Sequence, residues 1–209
     1  MKKCMEIGCL VLAICLIAGI VFSGSVKAEE SVEMADNNIW FQLGENESQI
    51  HSVQLSDKES IEWEKNGIVV YSEEVDRIEK FYRLGKCSGD TREMAVNHII
   101  EREALYEAAV NKGFVVTDEE VDEGIRIQNE LLEDSVEFKQ FLKGYGASAI
   151  TYWQEHFEAL RKEISINRYL SYRKIEFAKD YPTLDEMELN DKWLEEEKSI
   201  RETMRNSKM

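Results

Sequence analysis

The histidines and the acidic runs are the side chains of this chain with the most obvious capacity for chemistry. His51, His98 and His156 lie far apart in the sequence, and none stands in an HExxH or CxxC arrangement with a second ligand. Acidic pairs such as Glu119-Glu120 and Glu195 to Glu197 would serve a glycosidase only if two carboxylates converged in a cleft. They fall instead at a predicted helix start and on a predicted solvent face. With no Gly-x-Ser-x-Gly, phosphate-loop or dinucleotide motif either, the sequence predicts no catalytic residue, no metal site and no cofactor.

An aromatic cluster is the most unusual chemical feature. Its rings fall within about twenty residues around two glycines, Gly144 and Gly146. Aromatic side chains dominate core burial, so one interpretation is core filling. The other is a groove for extended apolar segments of other proteins, since a partly open apolar patch marks a binding site. The candidate client-binding residues are Phe138, Phe141, Tyr145, Tyr152, Trp153 and Phe157.

A pair of helices over residues 97–132 is expected to organise the fold that positions these rings. Apolar residues recur at three- and four-residue steps from Ala95 to Ala109, which predicts an amphipathic helix. Gly113 supplies the left-handed position that commonly ends such a helix. The Thr117-x-x-Glu120 spacing then predicts a capping box at the start of a second helix.

Short β-like pieces precede these helices. We expect extended segments at Ile39 to Leu43, near Val53 to Leu55, at Ile61 to Trp63 and at Ile68 to Tyr71. Between the last two, Asn66-Gly67 predicts a tight turn because this dipeptide readily takes positive φ.

Hydroxyl side chains predict the starts of the other helices. Ser72, Thr91 and Ser148 are each expected to cap a helix, and Ser148 to begin the longest one, which Tyr181-Pro182 ends. A shorter helix is predicted over Ser135 to Lys143, ended by Gly144-Tyr145-Gly146. A second capping box, Thr183-x-x-Glu186, opens the last helix, whose apolar stripe comprises Leu189, Trp193, Ile200 and Met204.

The predicted fold class is therefore mainly α. We expect a helical bundle with a small extended N-terminal element and a C-terminal amphipathic helix. The predicted organisation is a leader at 1–28, an extended lead-in at 29–60, a helical domain at 61–181 and a C-terminal helix at 182–209.

The N-terminus has the features of a targeting segment. Lys2 and Lys3 precede an apolar run of 16 residues from Ile7 to Phe22, and a small-x-small site predicts cleavage between Ala28 and Glu29. The alternative is an uncleaved membrane anchor over residues 7–26, since about 20 apolar residues span a bilayer. Either way the protein is expected to be extracytoplasmic, secreted or associated with the cell envelope.

Export leaves one cysteine and a strongly acidic chain. The other three cysteines lie in the leader, so Cys87 is expected to be a loop thiol. Cleavage would leave 23 basic and 41 acidic residues, a net charge of −18. Nucleic acid is excluded as a partner because phosphate binding needs concentrated positive charge.

The order of these motifs resembles the SurA-type N-terminal chaperone domain, which is also found in PrsA-like foldases. Asn66 to Asp76 is similar to that family's NG-x-x-I-x-x-x-E-hydrophobic-D opening, and Ile99 to Ala109 to its LI-x-x-x-LL-x-x-A helix. Gly113 to Val121 resembles its G-hydrophobic-x-V-T/S-D-E-E-V junction. Phe138 to Tyr145, followed by Tyr152 and by Leu160 to Leu170, resembles its closing helices. The resemblance covers roughly Ile61 to Tyr181.

This resemblance implies an exported chaperone that binds unfolded or extended polypeptide clients. Many family members carry a parvulin domain, but only 27 residues follow Pro182 and none resembles the parvulin His-Ile motif. Isomerase activity is therefore not expected. The resemblance also implies that the C-terminal helix packs back on the helical domain. The alternatives left open are a peptidyl-prolyl isomerase-related enzyme and a structural or assembly subunit of the cell envelope.

Overall fold

The computed structural model describes residues 37–53 and 60–209, and the predicted leader with its cleavage site lies outside them. The described part is mainly helical, as the sequence predicts: one β-hairpin and eight helices. No helix in this part is long and apolar enough to cross a membrane. The elements are α1 (Asn37–Val53), β1 (Ile61–Lys65), β2 (Ile68–Tyr71), α2 (Ser72–Leu84), α3 (Thr91–Asn111), α4 (Asp118–Leu132), α5 (Val136–Tyr145), α6 (Ala149–Glu155), α7 (Phe157–Ala178) and α8 (Glu186–Lys208).

The hairpin confirms the predicted turn. β1 and β2 pair antiparallel, with Lys65 opposite Ile68 and Glu64 opposite Val69. Asn66 and Gly67 take φ values of 50° and 83°, as a two-residue turn between right-twisted strands requires. Val70 is fully buried, so the second strand carries the inner face of the hairpin.

The N-terminal segment is helical, and the predicted strand at Ile39 to Leu43 is wrong. Within the predicted extended lead-in, Asn37–Val53 forms α1. Trp40, Leu43 and Glu47 lie three and four residues apart, which places them on one helical face, and all three are buried. The apolar run from 39 to 43 fits either period, and packing against α5 selects the helix.

Three of the helix starts differ from the prediction by one or two residues. Ser72 makes no cap: its hydroxyl donates to Glu62 at 3.0 Å, and Tyr71 is the N-cap residue. Asp90, not Thr91, caps α3 by accepting from two backbone amides. Likewise Asp185, not Thr183, caps α8. In the last two cases an aspartate near the predicted residue makes the cap instead.

The predicted capping box and the glycine that ends α3 are confirmed, and the predicted longest helix needs a correction. The Thr117 capping box is present: the Glu120 amide donates to the Thr117 hydroxyl at 3.3 Å, and the Thr117 amide donates to the Glu120 carboxylate at 2.9 Å. Gly113 has φ of 85° after α3. Ser148 caps a helix, but that helix is α6, which ends at Glu155, so the predicted single long helix is two. The longest described helix is α8, at 23 residues.

The C-terminal helix packs back on the helical domain. Trp193 and Ile200 are buried in a cluster with Leu105 and Ala109 of α3. At the far end, the Asn66 side-chain amide donates to a carbonyl near the end of α8 at 2.9 Å. Of the predicted apolar stripe of α8, Trp193 and Ile200 are buried, and Leu189 and Met204 are half-buried.

The α2–α3 loop carries Cys87. The structure has Cys87 disulfide-bonded, so the predicted loop thiol is wrong. No position near Cys87 in the sequence signals this bond.

Candidate functional site

The six predicted client-binding rings are brought together, but they form a core rather than an open groove in the described residues. Five of them are between 1 and 5% exposed, and Phe157 is half-buried against the same cluster. The rings that are buried are Phe138, Phe141, Tyr145, Tyr152 and Trp153. Of the two interpretations that the sequence allows, core filling describes the rings in this structure.

The rings hold one another in edge-to-face contacts. The ring centroid of Tyr152 lies 5.2 Å from that of Phe141, 5.1 Å from that of Tyr145 and 5.0 Å from that of Trp153. Such contacts contribute beyond area burial because the positive ring edge meets a negative ring face. Asn129 of α4 fixes the indole, whose Nε1 donates to the Asn129 Oδ1 at 2.8 Å. The surface that α5 and α6 present is therefore rigid; we call it the aromatic face.

Helix α1 covers the aromatic face. Trp40 and Leu43, at 7% and 2% exposure, belong to the same cluster as the rings, and Ile39 packs against it. α1 also contacts α2. The covering element is thus the segment that the sequence pattern misassigned as a strand.

Two glycines allow α1 to approach α5 closely. A Cβ on Gly44 would overlap the carbonyl oxygen of Phe141 and lie 2.7 Å from the amide nitrogen of Tyr145. A Cβ on Gly144 would overlap the carbonyl oxygen of Phe41 and lie 3.1 Å from the amide nitrogen of Glu45. Both positions need glycine because each faces backbone, which cannot move aside. The sequence prediction assigned Gly144 to the end of the helix, but it lies inside α5, and Gly146, with φ of 82°, ends it.

A polar triad of the buried Glu47 and the half-buried Arg77 and His156 lies at the edge of this interface. The Glu47 Oε1 of α1 accepts from the Arg77 Nη1 of α2 at 2.8 Å and lies 3.0 Å from the His156 Nε2. The other ring nitrogen of His156 lies 2.8 Å from the carbonyl oxygen of Tyr152. Burial alone raises the pKa of Glu47, but the charge of Arg77 and the hydrogen bond from His156 together lower it to about 2.

His156 lies between two hydrogen-bond acceptors. A backbone carbonyl and a carboxylate oxygen can only accept hydrogen bonds, and each faces one of the two ring nitrogens. Arg77, which donates to the same carboxylate oxygen, gives the aromatic face a cationic edge, and α1 meets this edge with a carboxylate.

His98 has no such role among the described residues. The side chain of His51 lies outside the described residues. His98 lies on α3, where burial, assisted by the charge of Arg102, lowers its pKa to about 4, so it is neutral at pH 7. Nothing near His156 in the sequence sets it apart from the other histidines, because Glu47 and Arg77 are 109 and 79 residues away along the chain.

A second charged network joins α2, α3 and α7. The Arg102 Nη1 donates to Glu74 at 2.7 Å, and the Lys162 Nζ donates to Glu103 at 2.8 Å. Glu163 lies beside these pairs, and burial raises its pKa to about 7. No group of three or more potential ligands that could hold a metal ion is found among the described residues. The network is best described as the polar part of the packing between these helices.

The chemistry that the aromatic face supports is binding of an apolar helix. Its rings supply buried area, Gly144 supplies a close approach, and Arg77 and His156 supply a charged anchor. No protein-family model, curated protein or solved structure matches this chain.

Proposed function

We propose that this chain is an exported, chaperone-like protein that binds apolar segments of unfolded or extended client polypeptides. The binding site is the aromatic face of α5 and α6. In the structure the chain's own helix α1 occupies that face, so a client binds when α1 undocks.

One observation carries this proposal: the aromatic face holds a helix that is a poor helix former. Within its 17 residues α1 contains Gly44 and several Asn and Ser residues, all of which are less favourable in helix interiors than Ala. Its helicity therefore depends on docking, as for most helices in proteins. Native proteins open locally, one element at a time, without unfolding as a whole.

The charge of the chain fits the same function. After cleavage of the leader the net charge would be −18, and a strongly charged protein stays soluble through self-repulsion. A complex with an apolar client would share that property. The leader and the acidic surface together support an extracytoplasmic site of action.

The test is suppression of client aggregation by variants that release α1. Leu43→Ala removes a side chain that is 2% exposed and anchors α1, and such truncations cost about 2–5 kcal/mol. We expect this variant to suppress the light scattering of a chemically unfolded client at lower concentration than the wild-type chain does. The physical reason is that the rings become available more often.

Ile166→Ala is the matched control. Ile166 is also 2% exposed, but it lies in the cluster with α8, away from the aromatic face. Its loss lowers stability without releasing α1, so it should leave client protection unchanged. If both variants suppressed client aggregation equally better than the wild-type chain, the improvement would come from loss of stability in general and not from release of α1. Absence of protection by both the wild-type chain and Leu43→Ala would refute the proposed function.

A further inference from the structure

The contacts of α1 describe what the aromatic face accepts. Trp40 and Leu43 enter the ring cluster, Gly44 lies at the crossing with α5, and Glu47 reaches the cationic edge. Relative to the glycine, these residues stand at positions −4, −1 and +3. All of them share one face of a helix because α-helical neighbours recur every three or four residues.

The crossing imposes a size limit on the bound helix. Gly144 brings the backbone of α1 so close that a Cβ at Gly44 would lie 3.0 Å from the carbonyl carbon of Phe141 and overlap its oxygen. Close helix pairs with small residues at the crossing are driven by direct packing of backbone on backbone. A helix with a large residue at this position cannot reach the rings while keeping its other contacts.

The cationic edge imposes a charge requirement. Arg77 donates to the carboxylate oxygen that also lies 3.0 Å from the His156 Nε2, and charge-assisted hydrogen bonds such as that from Arg77 are stronger than neutral ones. A bound helix without an acid at this position would forgo the charge-assisted hydrogen bond from Arg77 and the contact with His156. The edge therefore selects a helix that carries a carboxylate three residues after the small residue.

α1 itself is an imperfect occupant of the site. The second carboxylate oxygen of Glu47, Oε2, is buried and has no hydrogen-bond partner among the described residues. Leaving a buried acceptor unsatisfied is costly. Together with the low helix propensity of α1, this leaves room for a better helix to compete.

We infer that the aromatic face, with Gly144 at its centre and Arg77 and His156 at its edge, is a helix-binding site. It takes an amphipathic client helix with a small residue at the crossing, large apolar residues at −4 and −1, and a carboxylate at +3. This inference rests on the proposed function and narrows its clients to one class of segment.

The test uses the full chain and a fluorescein-labelled peptide of residues 37–53 as the probe. Gly44→Ala should release α1 and leave the aromatic face intact, so it should bind the peptide at least tenfold more tightly than the wild-type chain does. Gly144→Ala should also release α1 but fill the crossing, so its affinity should stay at the wild-type level. Glu47→Gln in the full chain gives a second way to release α1, without any steric overlap.

Gly124→Ala is the control for a Gly→Ala change in a helix. Its Cβ would meet only the Cδ1 of Ile164, the end of a flexible side chain. It should bind the peptide no better than the wild-type chain does. A peptide with the acid replaced, E47Q, should bind the Gly44→Ala chain at least tenfold more weakly than the unaltered peptide.

The outcomes separate this inference from the proposed function. Equal peptide affinity in the Gly44→Ala and Gly144→Ala chains would overturn the size limit, and equal affinity of the two peptides would overturn the charge requirement. Failure of the peptide to bind both the Gly44→Ala and Glu47→Gln chains would overturn the inference as a whole. If Leu43→Ala still protected clients in that case, the proposed function would survive without this specificity.

Discussion

The close contact between Gly44 and α5 gives the most direct test of how α1 is held. In Gly44→Ala the new Cβ would overlap the carbonyl oxygen of Phe141 and lie 2.7 Å from the amide nitrogen of Tyr145. Both atoms belong to the backbone of α5, so no side-chain rotation can relieve the overlap. α1 must move away from α5, and the contacts of Trp40 and Leu43 are lost with it.

The size of the effect follows from two opposing contributions. Alanine favours a helix interior over glycine by about 1 kcal/mol, which stabilises α1. Loss of burial of Trp40 and Leu43 costs about 1.5–3 kcal/mol for each side chain. The burial loss is the larger contribution, and the net loss of docking free energy is about 2–5 kcal/mol.

Native-state hydrogen exchange measures this loss directly, because the amides of α1 exchange when it undocks. A loss of about 2–5 kcal/mol corresponds to exchange that is about thirty-fold to several thousand-fold faster within Asn37–Val53. The amides of α3 should keep their wild-type rates, and Gly124→Ala should leave α1 unchanged. Unaltered protection of α1 in Gly44→Ala would refute the requirement for glycine at the crossing.

Three further predictions concern stability. Thr117→Ala removes the capping box of α4 and should lower the free energy of unfolding in urea by about 1 kcal/mol, whereas Thr117→Ser should retain most of it. The pKa of Glu47 is about 2 in the folded chain, against 4.5 for an unperturbed glutamate. The docking that the Glu47 carboxylate supports is therefore present above pH 4.5 and lost as the pH falls towards 2. Glu47→Gln should abolish the acid-dependent increase in the hydrogen exchange of α1. The pKa of Glu163 is raised from 4.5 to about 7, so its contribution is fully present below pH 4.5 and lost as the pH rises through 7. Glu163→Gln should therefore be more stable than the wild-type chain at pH 8 by about 1–3 kcal/mol, and equal pH slopes of the two chains in urea denaturation would contradict this assignment.

Local features of the fold could be predicted because the residues that cause them are adjacent in the sequence. The Asn66-Gly67 turn, the Thr117 capping box and the left-handed Gly113 each depend on a few neighbouring residues. The misplaced caps at Ser72 and Thr91 have a related cause. Asp90 stands directly beside Thr91 and accepts from two backbone amides, whereas the Ser72 hydroxyl donates to Glu62 instead of capping its helix.

The helical period of α1 and the covering of the aromatic rings have one physical cause. Whether the aromatic rings are core or groove depends on what covers them, and the cover is α1. The apolar run from 39 to 43 fits either period, and its contacts with α5 select the helical one. Those contacts are not visible in the sequence, which therefore allows both core filling and an open groove. The triad of Glu47, Arg77 and His156 leaves no local signal, because its members are 30 and 79 residues apart.

The register of α1 on the aromatic face depends on polar and glycine contacts more than on apolar area. A shift of one residue along α1 would rotate Glu47 by about 100° away from Arg77 and His156. The same shift would bring the side chain of Leu43 or Glu45 to the crossing with Gly144, where there is no room for a Cβ. Apolar packing alone tolerates many arrangements of similar free energy, whereas a buried charge pair can restrict them. A site with these two constraints discriminates among apolar segments, so the proposed chaperone should protect clients that contain a matching helix and leave equally hydrophobic segments without one unprotected.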